Sequence, residues 1–392
     1  MLAGCGGAAA PDAPGVATAE PTTSAAAAAP GPAADPSGVA GLGTAPGSSP
    51  TAPGGSPRPQ AAGPAAGNPA GGAAVPAGAA AVDTSRPTRT VGDGTPASCT
   101  SDAVVAAVAA GGIITFSCGP DPITITMTRT AKVRNAASRQ VVLDGGGKVT
   151  LSGGGARRIL YMNTCDEAQG WTTSHCNDQD HPELVVQNIT FADGDATGEA
   201  VDGGGGGAIF VRGGQFRVVK STFVRNRCDR TGADLGGAAI RVLDQWRDQP
   251  VYVVDSTFGG AAGDGGVCAN GGALSSIGVS WTVLNSVLTH NAAVGNGANP
   301  AKPGTPGGGS GGAIYADGNQ FTVHVAGSVI EDNEAQEGGG AIFFVSNDRS
   351  GTLRLTDSVL RRNINHGFAT AGYPGIFYLG NGDPVVVSST LR

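Results

Sequence analysis

Four carboxylates, Asp193, Asp195, Glu199 and Asp202, crowd one short stretch after Phe191, and Arg212 follows on the next apolar run. An oxygen-rich cluster of this kind can bind calcium, whereas a solvated corner loop would carry the same acids with no ligand at all. Glycoside hydrolysis would ask instead for two carboxyl groups at a defined separation, which a cluster on one loop does not supply by spacing alone. Trp171, Trp246 and Trp281 are candidates for stacking on sugar rings. Trp246 stands in the polar run Asp244-Gln245-Trp246-Arg247-Asp248, where an exposed ring suits carbohydrate and a covered ring merely seals a flank. His290 and His324 fall in strand-like contexts and read as packed or surface rings rather than acid-base catalysts.

Cysteine supplies the next chemistry. Apart from Cys5, the cysteines are Cys99, Cys118, Cys165, Cys176, Cys228 and Cys268, an even number that reads as disulfides in an exported chain. Chain order suggests Cys99 with Cys118, Cys165 with Cys176, and Cys228 with Cys268. A rival reading groups Cys165, His175, Cys176 and His181 as a zinc site beside Asp178 and Asp180, although no Cys-x-x-Cys spacing accompanies it.

The elements that must carry these residues emerge when the sequence is compared with itself, for two motifs recur with a period of roughly 30 residues. One is a Gly-Gly-Ala step into an apolar strand, at 206–209, 271–274, 311–314 and 339–342, with a lengthened copy at 236–240. The other is an apolar residue, a turn residue, Ser, any residue, and a large apolar side chain; its serines are Ser221, Ser256, Ser286, Ser328, Ser358 and Ser389. Ile189 and Phe191 open that series one turn earlier, and Asn226, Asn291, Asn333 and Asn363 lie three places after a large apolar residue. Short strands that turn corners at Asn or Gly and stack about 4.8 Å apart would align these residues in ladders, apolar inside and Asn amides along the axis. The insert Gly295 to Gly311 stretches one repeat and reads as a protruding loop that either shapes a groove or is ornamental.

The Gly-Gly-Ala-Ile and Phe-x-x-Asn repeats resemble those of the polymorphic outer-membrane protein family, and more broadly of the pectate-lyase-like right-handed β-helix superfamily. The similarity covers about Val91 to Arg392. It implies an all-β chain wound as a right-handed parallel β-helix. A short capping helix, Ser98 to Ala110, would close the open end before strands at Ile113–Phe116, Ile123–Met127, Val141–Leu143 and Val149–Leu151. A pectate lyase of the superfamily would hold calcium on carboxylates and place an Arg to take the proton beside the uronate carboxyl group. The Asn-Thr-Asp, Asp-Asp and Gly-His-Gly motifs of the superfamily's polygalacturonases are absent.

Composition divides the chain. Among 392 residues stand 67 Gly and 25 Pro, with Ala, Pro, Gly, Ser and Thr filling the segment from 6 to about 89. Such a segment has too little apolar surface to offset the entropy of ordering, so the expectation is a disordered linker at 6–89 followed by the β-helix domain at 90–392. As a flexible coil of about 80 residues it would span on the order of 50 Å. Leu2-Ala3-Gly4-Cys5 resembles a lipobox, making Cys5 the expected acylated residue. Residues 1–5 then read as the remnant of a truncated signal peptide whose natural start lies upstream. At the other end, Val385 to Arg392 matches an ordinary turn with no polar cap, so the expectation is either that the gene product continues or that this form associates end to end.

A net charge of -7 with scattered Lys and Arg excludes nucleic acid as the expected partner. The leading expectation is a cell-surface lipoprotein that binds polysaccharide or a protein partner without catalysis and without a cofactor, calcium excepted. A polysaccharide lyase or glycoside hydrolase working through the 193–202 loop is the alternative.

Overall fold

The computed structural model describes residues 65–199 and 203–392. Cys5, the linker up to residue 64, and Asp202 lie outside the described residues. The described chain is mostly β-strand, and the ladders that join those strands are parallel. Strands fall in sequence order into three large sheets of 10, 9 and 8 strands and a minor one of 4. One circuit shows the rule: Gln215–Val219 joins the first sheet, Thr222–Val224 the second, Ile240–Leu243 the third, and Val251–Val254 returns to the first. Every circuit therefore stacks on the one before it.

Corners follow from residue types that tolerate a left-handed backbone. Between the first and second sheets stand Lys220, Asp255, Asn285, Gly327 and Asp357, with φ between 47 and 59°. The serine after each of them makes the corner cohesive. Ser221, Ser256, Ser286, Ser328 and Ser358 each donate a backbone N–H to the next serine's Oγ at 2.9 to 3.2 Å. Each Oγ in turn donates to a carbonyl two residues back. The result is one unbroken chain of bonds along the axis.

Entry into the third sheet explains the paired glycines. The first takes a positive φ, 65° at Gly206 and 64° at Gly339. The second is pressed against the next circuit: a Cβ on Gly312 would lie 2.0 Å from the Gly340 carbonyl oxygen. Only hydrogen fits there. The alanines that follow are buried, and the Ile or Leu after them forms an inward column, Ile209, Ile240, Leu274, Ile314, Ile342 and Ile376. On the second sheet Phe191, Phe223 and Phe258 stack at 5.2 and 4.6 Å between centroids, continuing the core.

A helix, Ser101–Ala110, closes the first circuit, its Thr100 Oγ1 accepting from Ala103 N and its Val104, Ala107 and Val108 buried in the core. A 3-10 turn, Pro96–Ser98, occupies the place where the sequence expected the helix to begin. The linker boundary also differs from expectation. From Gly67 to Thr88 the backbone runs along the flank of the first sheet: Asn68 Nδ2 donates to Gly327 O, Ala73 N to Asn285 Oδ1, Val82 N to Gln187 Oε1, and Thr84 Oγ1 to Asp144 Oδ2. Ala79 is fully buried among Val219, Val254, Leu284 and Ala326. Side-chain amides on the stacked circuits supply the order that this segment's own side chains lack. No helix among the described residues is long and apolar enough to cross a membrane.

Candidate functional site on the outer face of the third sheet

The residue after each Gly-Gly-Ala-Ile step points outward, so register alone places Lys132, Tyr161, Phe210, Arg241, Ser275, Tyr315, Phe343 and Phe377 in one row across the third sheet. Most of this row is aromatic. Tyr161 stacks on Phe210 at 5.5 Å, Tyr315 on Phe343 at 4.9 Å and Phe343 on Phe377 at 5.2 Å. Arg241 and Ser275 interrupt it, joined by a 3.0 Å bond from Arg241 Nη1 to Ser275 Oγ. A second outward row, two residues on, reads Asn163, Arg212, Leu243, Ile277, Asp317, Val345 and Leu379.

Loops roof the first row and leave a cavity of about 550 Å³ beside the break. Leu243 and Ile277 give it an apolar floor, and its walls carry Arg212, Arg241, Asp234, Asp244, Asp317, Asn177 and Asn347. The insert at 295–311 meets the first row at Tyr315 and stands outside the cavity lining. Its ladder pairs Asn296 with Gly307 and Ala298 with Gly308, and buried Glu337 accepts from Gly297 N at 2.9 Å and Lys302 Nζ at 2.7 Å. Asn299 Nδ2 then reaches Asp234, Tyr315 OH and Asp317 at 2.6 to 3.2 Å.

Burial sets the electrostatics of these walls. Asp317 titrates above the usual carboxylate range because it is desolvated, even though Gly318 N, Tyr315 OH, Asn299 and Asn347 all donate to it. Asp244 is likewise raised by burial, with Asp248 adding like-charge repulsion. Arg241 is 2% exposed, and loss of hydration pushes its guanidinium down to about 10, so it remains a cation at neutral pH.

A second cavity, of about 920 Å³, opens on the same sheet one and two circuits earlier, with Lys132, Arg134, Arg158, Tyr161, Asp166 and Glu167 among its walls. Lys132 Nζ sits 5.1 Å from the Tyr161 ring centre.

Asp193, Asp195 and Glu199, the described members of the acidic cluster, are not gathered into one cation site. Asp193 pairs with Arg225 at 2.8 Å, Asp195 with Arg227 at 2.8 Å, and Glu199 lies 3.7 Å from Arg158. Among the described residues no group of three acidic, His or Cys side chains is arranged to hold a metal ion. Each of these three described acids is instead matched to an arginine, two of them one circuit onward, a pairing that spacing within a single loop cannot reveal. The zinc grouping is also replaced: Cys165 and Cys176 stand at disulfide distance, Cα to Cα 4.9 Å, and His181 bonds to Asp180.

Cys99 with Cys118 and Cys228 with Cys268 are similarly placed, at 5.7 and 4.8 Å. Three such pairs fit an oxidising environment.

Trp281 is buried in the core with Nε1 donating to Ser276 Oγ, so its ring faces no ligand. Trp171 tilts against His181, and Trp246 is half-buried with the Arg247 guanidinium 4.9 Å over its ring, outside the cavity lining. Of the corner asparagines, Asn291, Asn333 and Asn363 bond amide to amide at 2.9 Å. Asn226 bonds instead to Gly194 N and Phe191 O, because the loop before Gly266 displaces its neighbour in the column.

Arg241, Asp234 and Asp317 were missed by sequence reasoning. Reading the residue that follows each Gly-Gly-Ala-Ile step as a column would have exposed the arginine. Comparison with family models, with curated proteins and with solved structures finds no match to this chain.

Proposed function

We propose that the chain is an exported right-handed parallel β-helix of the pectate-lyase-like kind, tethered through an acylated Cys5, that binds polysaccharide on the outer face of its third sheet without cleaving it. The right hand follows the rule for parallel crossovers. The observation that carries the binding reading is the cavity at the polar break of the aromatic row. An apolar floor of Leu243 and Ile277 suits the C–H face of a sugar, and the surrounding guanidinium, amide and carboxylate groups suit its hydroxyls. The state of the acids supports binding over catalysis. Asp317, a half-buried carboxylate of the cavity, already accepts four hydrogen bonds, leaving it poorly placed to trade a proton with a substrate.

Screening the purified chain on a panel of immobilised polysaccharides, scored for retention and for released sugar, tests this. Retention on at least one polymer with no product is the expected result. Released oligosaccharide would overturn the non-catalytic reading, and no retention on any polymer would overturn polysaccharide binding.

A further inference from the structure

The strap at 67–88 is held mainly by its backbone. Gln187 engages both polar groups of Val82, accepting from its N–H at 2.9 Å and donating to its carbonyl at 3.0 Å. Asn285 does the same to Ala73, again at 2.9 and 3.0 Å. An amide side chain offers a donor and an acceptor together, so it can close this pair of bonds on any residue except proline. Arg217 adds a bond to the Gly78 carbonyl between the two clamps.

Side-chain demands along the strap are few. Ala79 is fully buried on Val219, Val254, Leu284 and Ala326, an apolar stripe on the outer edge of the first sheet. Gly71 is the other fixed point, since a Cβ there would lie 2.6 Å from Asn285 Oδ1 and from the Gly327 carbonyl oxygen. A Cβ on Gly72 or Gly78 would meet nothing, and Val75 is exposed. Main-chain bonds supply the hold and two small residues set the register, as in domains that bind extended peptides. The stripe is a cluster apart from the main core, and the strap joins the first strand, Arg89–Val91, through exposed residues 85–87.

We infer that this outer edge of the first sheet is a peptide-binding groove whose partner is the 67–88 strap of a second copy of the chain, so that copies are linked by exchanging straps. A second copy brings Gly71 and Ala79 at the spacing the groove requires, by identity of sequence. Every bond the strap makes in its own molecule is available in the other, so exchange loses no contact. The short link at 85–87 favours closure, because it holds the strap near its own groove at about millimolar effective concentration. Closed single chains therefore prevail in dilute solution. Exchange prevails where copies are crowded to that level, or where closure is blocked. The groove lies on a different sheet from the proposed glycan site and stands independently of it.

The test mixes two full-length variants. One has a broken strap, Ala79→Arg, beside an intact groove. The other has an intact strap beside a broken groove, Gln187→Met with Asn285→Gly, the glycine keeping the left-handed corner that Asn285 holds at φ 49°. Neither can close on itself. Each alone sediments as a monomer, and their equimolar mixture sediments as a one-to-one complex. A labelled synthetic peptide of residues 67–88 binds Ala79→Arg. It binds at least ~10-fold more weakly when Gln187→Met is added, because two hydrogen bonds are lost.

No complex in the mixture, with both variants folded by circular dichroism, overturns strap exchange whether or not the peptide binds. Peptide binding indifferent to Gln187→Met overturns recognition through the backbone clamps. Should Ala79→Arg fail to fold, Gly71→Val takes its place in the mixture, breaking the strap by crowding Asn285 without setting a charge in the apolar stripe.

Discussion

Ser286 illustrates what a single hydroxyl does in a stacked chain: it accepts from Ser256 N and donates to Leu284 O, and its own N–H goes on to Ser328 Oγ. Ser286→Ala leaves the buried Ser256 amide without an acceptor, at an expected cost of about 1–3 kcal/mol. Ser389→Ala removes a half-buried member of the same column and costs less, because water reaches the amide it leaves unpaired. Chemical denaturation of the two variants beside wild type checks the order. Equal losses would mean that the column contributes through propensity rather than through its bonds.

This column was legible because identical residues one circuit apart fall on one line. The charge pairs were not, since Arg225 meets Asp193 across a circuit and a loop-by-loop reading sees only a cluster of acids. Trp281 was open to a better reading: it alternates with Thr282 and Val283, a phase that sends Trp281 and Val283 to the same, inner side.

Among the elements, the insert at 295–311 is where the fold departs most from a plain repeat, and one buried carboxylate holds it down. Burial works against ionising Glu337, but Lys302 and the Gly297 amide outweigh it and hold its carboxyl below the ordinary value. A carboxyl with a lowered folded-state value stabilises fully above its unfolded value near ~4.3 and loses that contribution as pH falls through the folded one. Glu337→Gln should therefore cost about 1.5–3 kcal/mol at neutral pH, with the gap to wild type closing in acid. Hydrogen exchange of amides 296–308, followed across that pH range in both proteins, reads the effect where it arises; a gap independent of pH would contradict the ion-pair account. The sequence marked this insert by its length, and the strap at 67–88 not at all. Small residues leave no periodic trace, and the strap is held by its own backbone bonding to Asn285 and Gln187 side chains.

At the scale of the whole molecule, three large parallel sheets give the chain several long outer faces, and the third is singled out by a mixed apolar and charged cavity beside a pinned loop. Repetition made the architecture readable; the site lies where repetition fails, at Arg241 and Ser275 in an otherwise aromatic row. The most direct measurement of the central claim compares retention on polygalacturonate and dextran for wild type, for Ile277→Arg on the cavity floor, and for Arg354→Glu on the exposed outer face of the first sheet. The account predicts that Ile277→Arg lowers retention at least ~10-fold, by filling the apolar floor with charge, while Arg354→Glu binds as wild type does. Retention unaffected by Ile277→Arg, or lost equally in Arg354→Glu, would place polysaccharide binding elsewhere on the molecule and contradict the assignment of the third sheet.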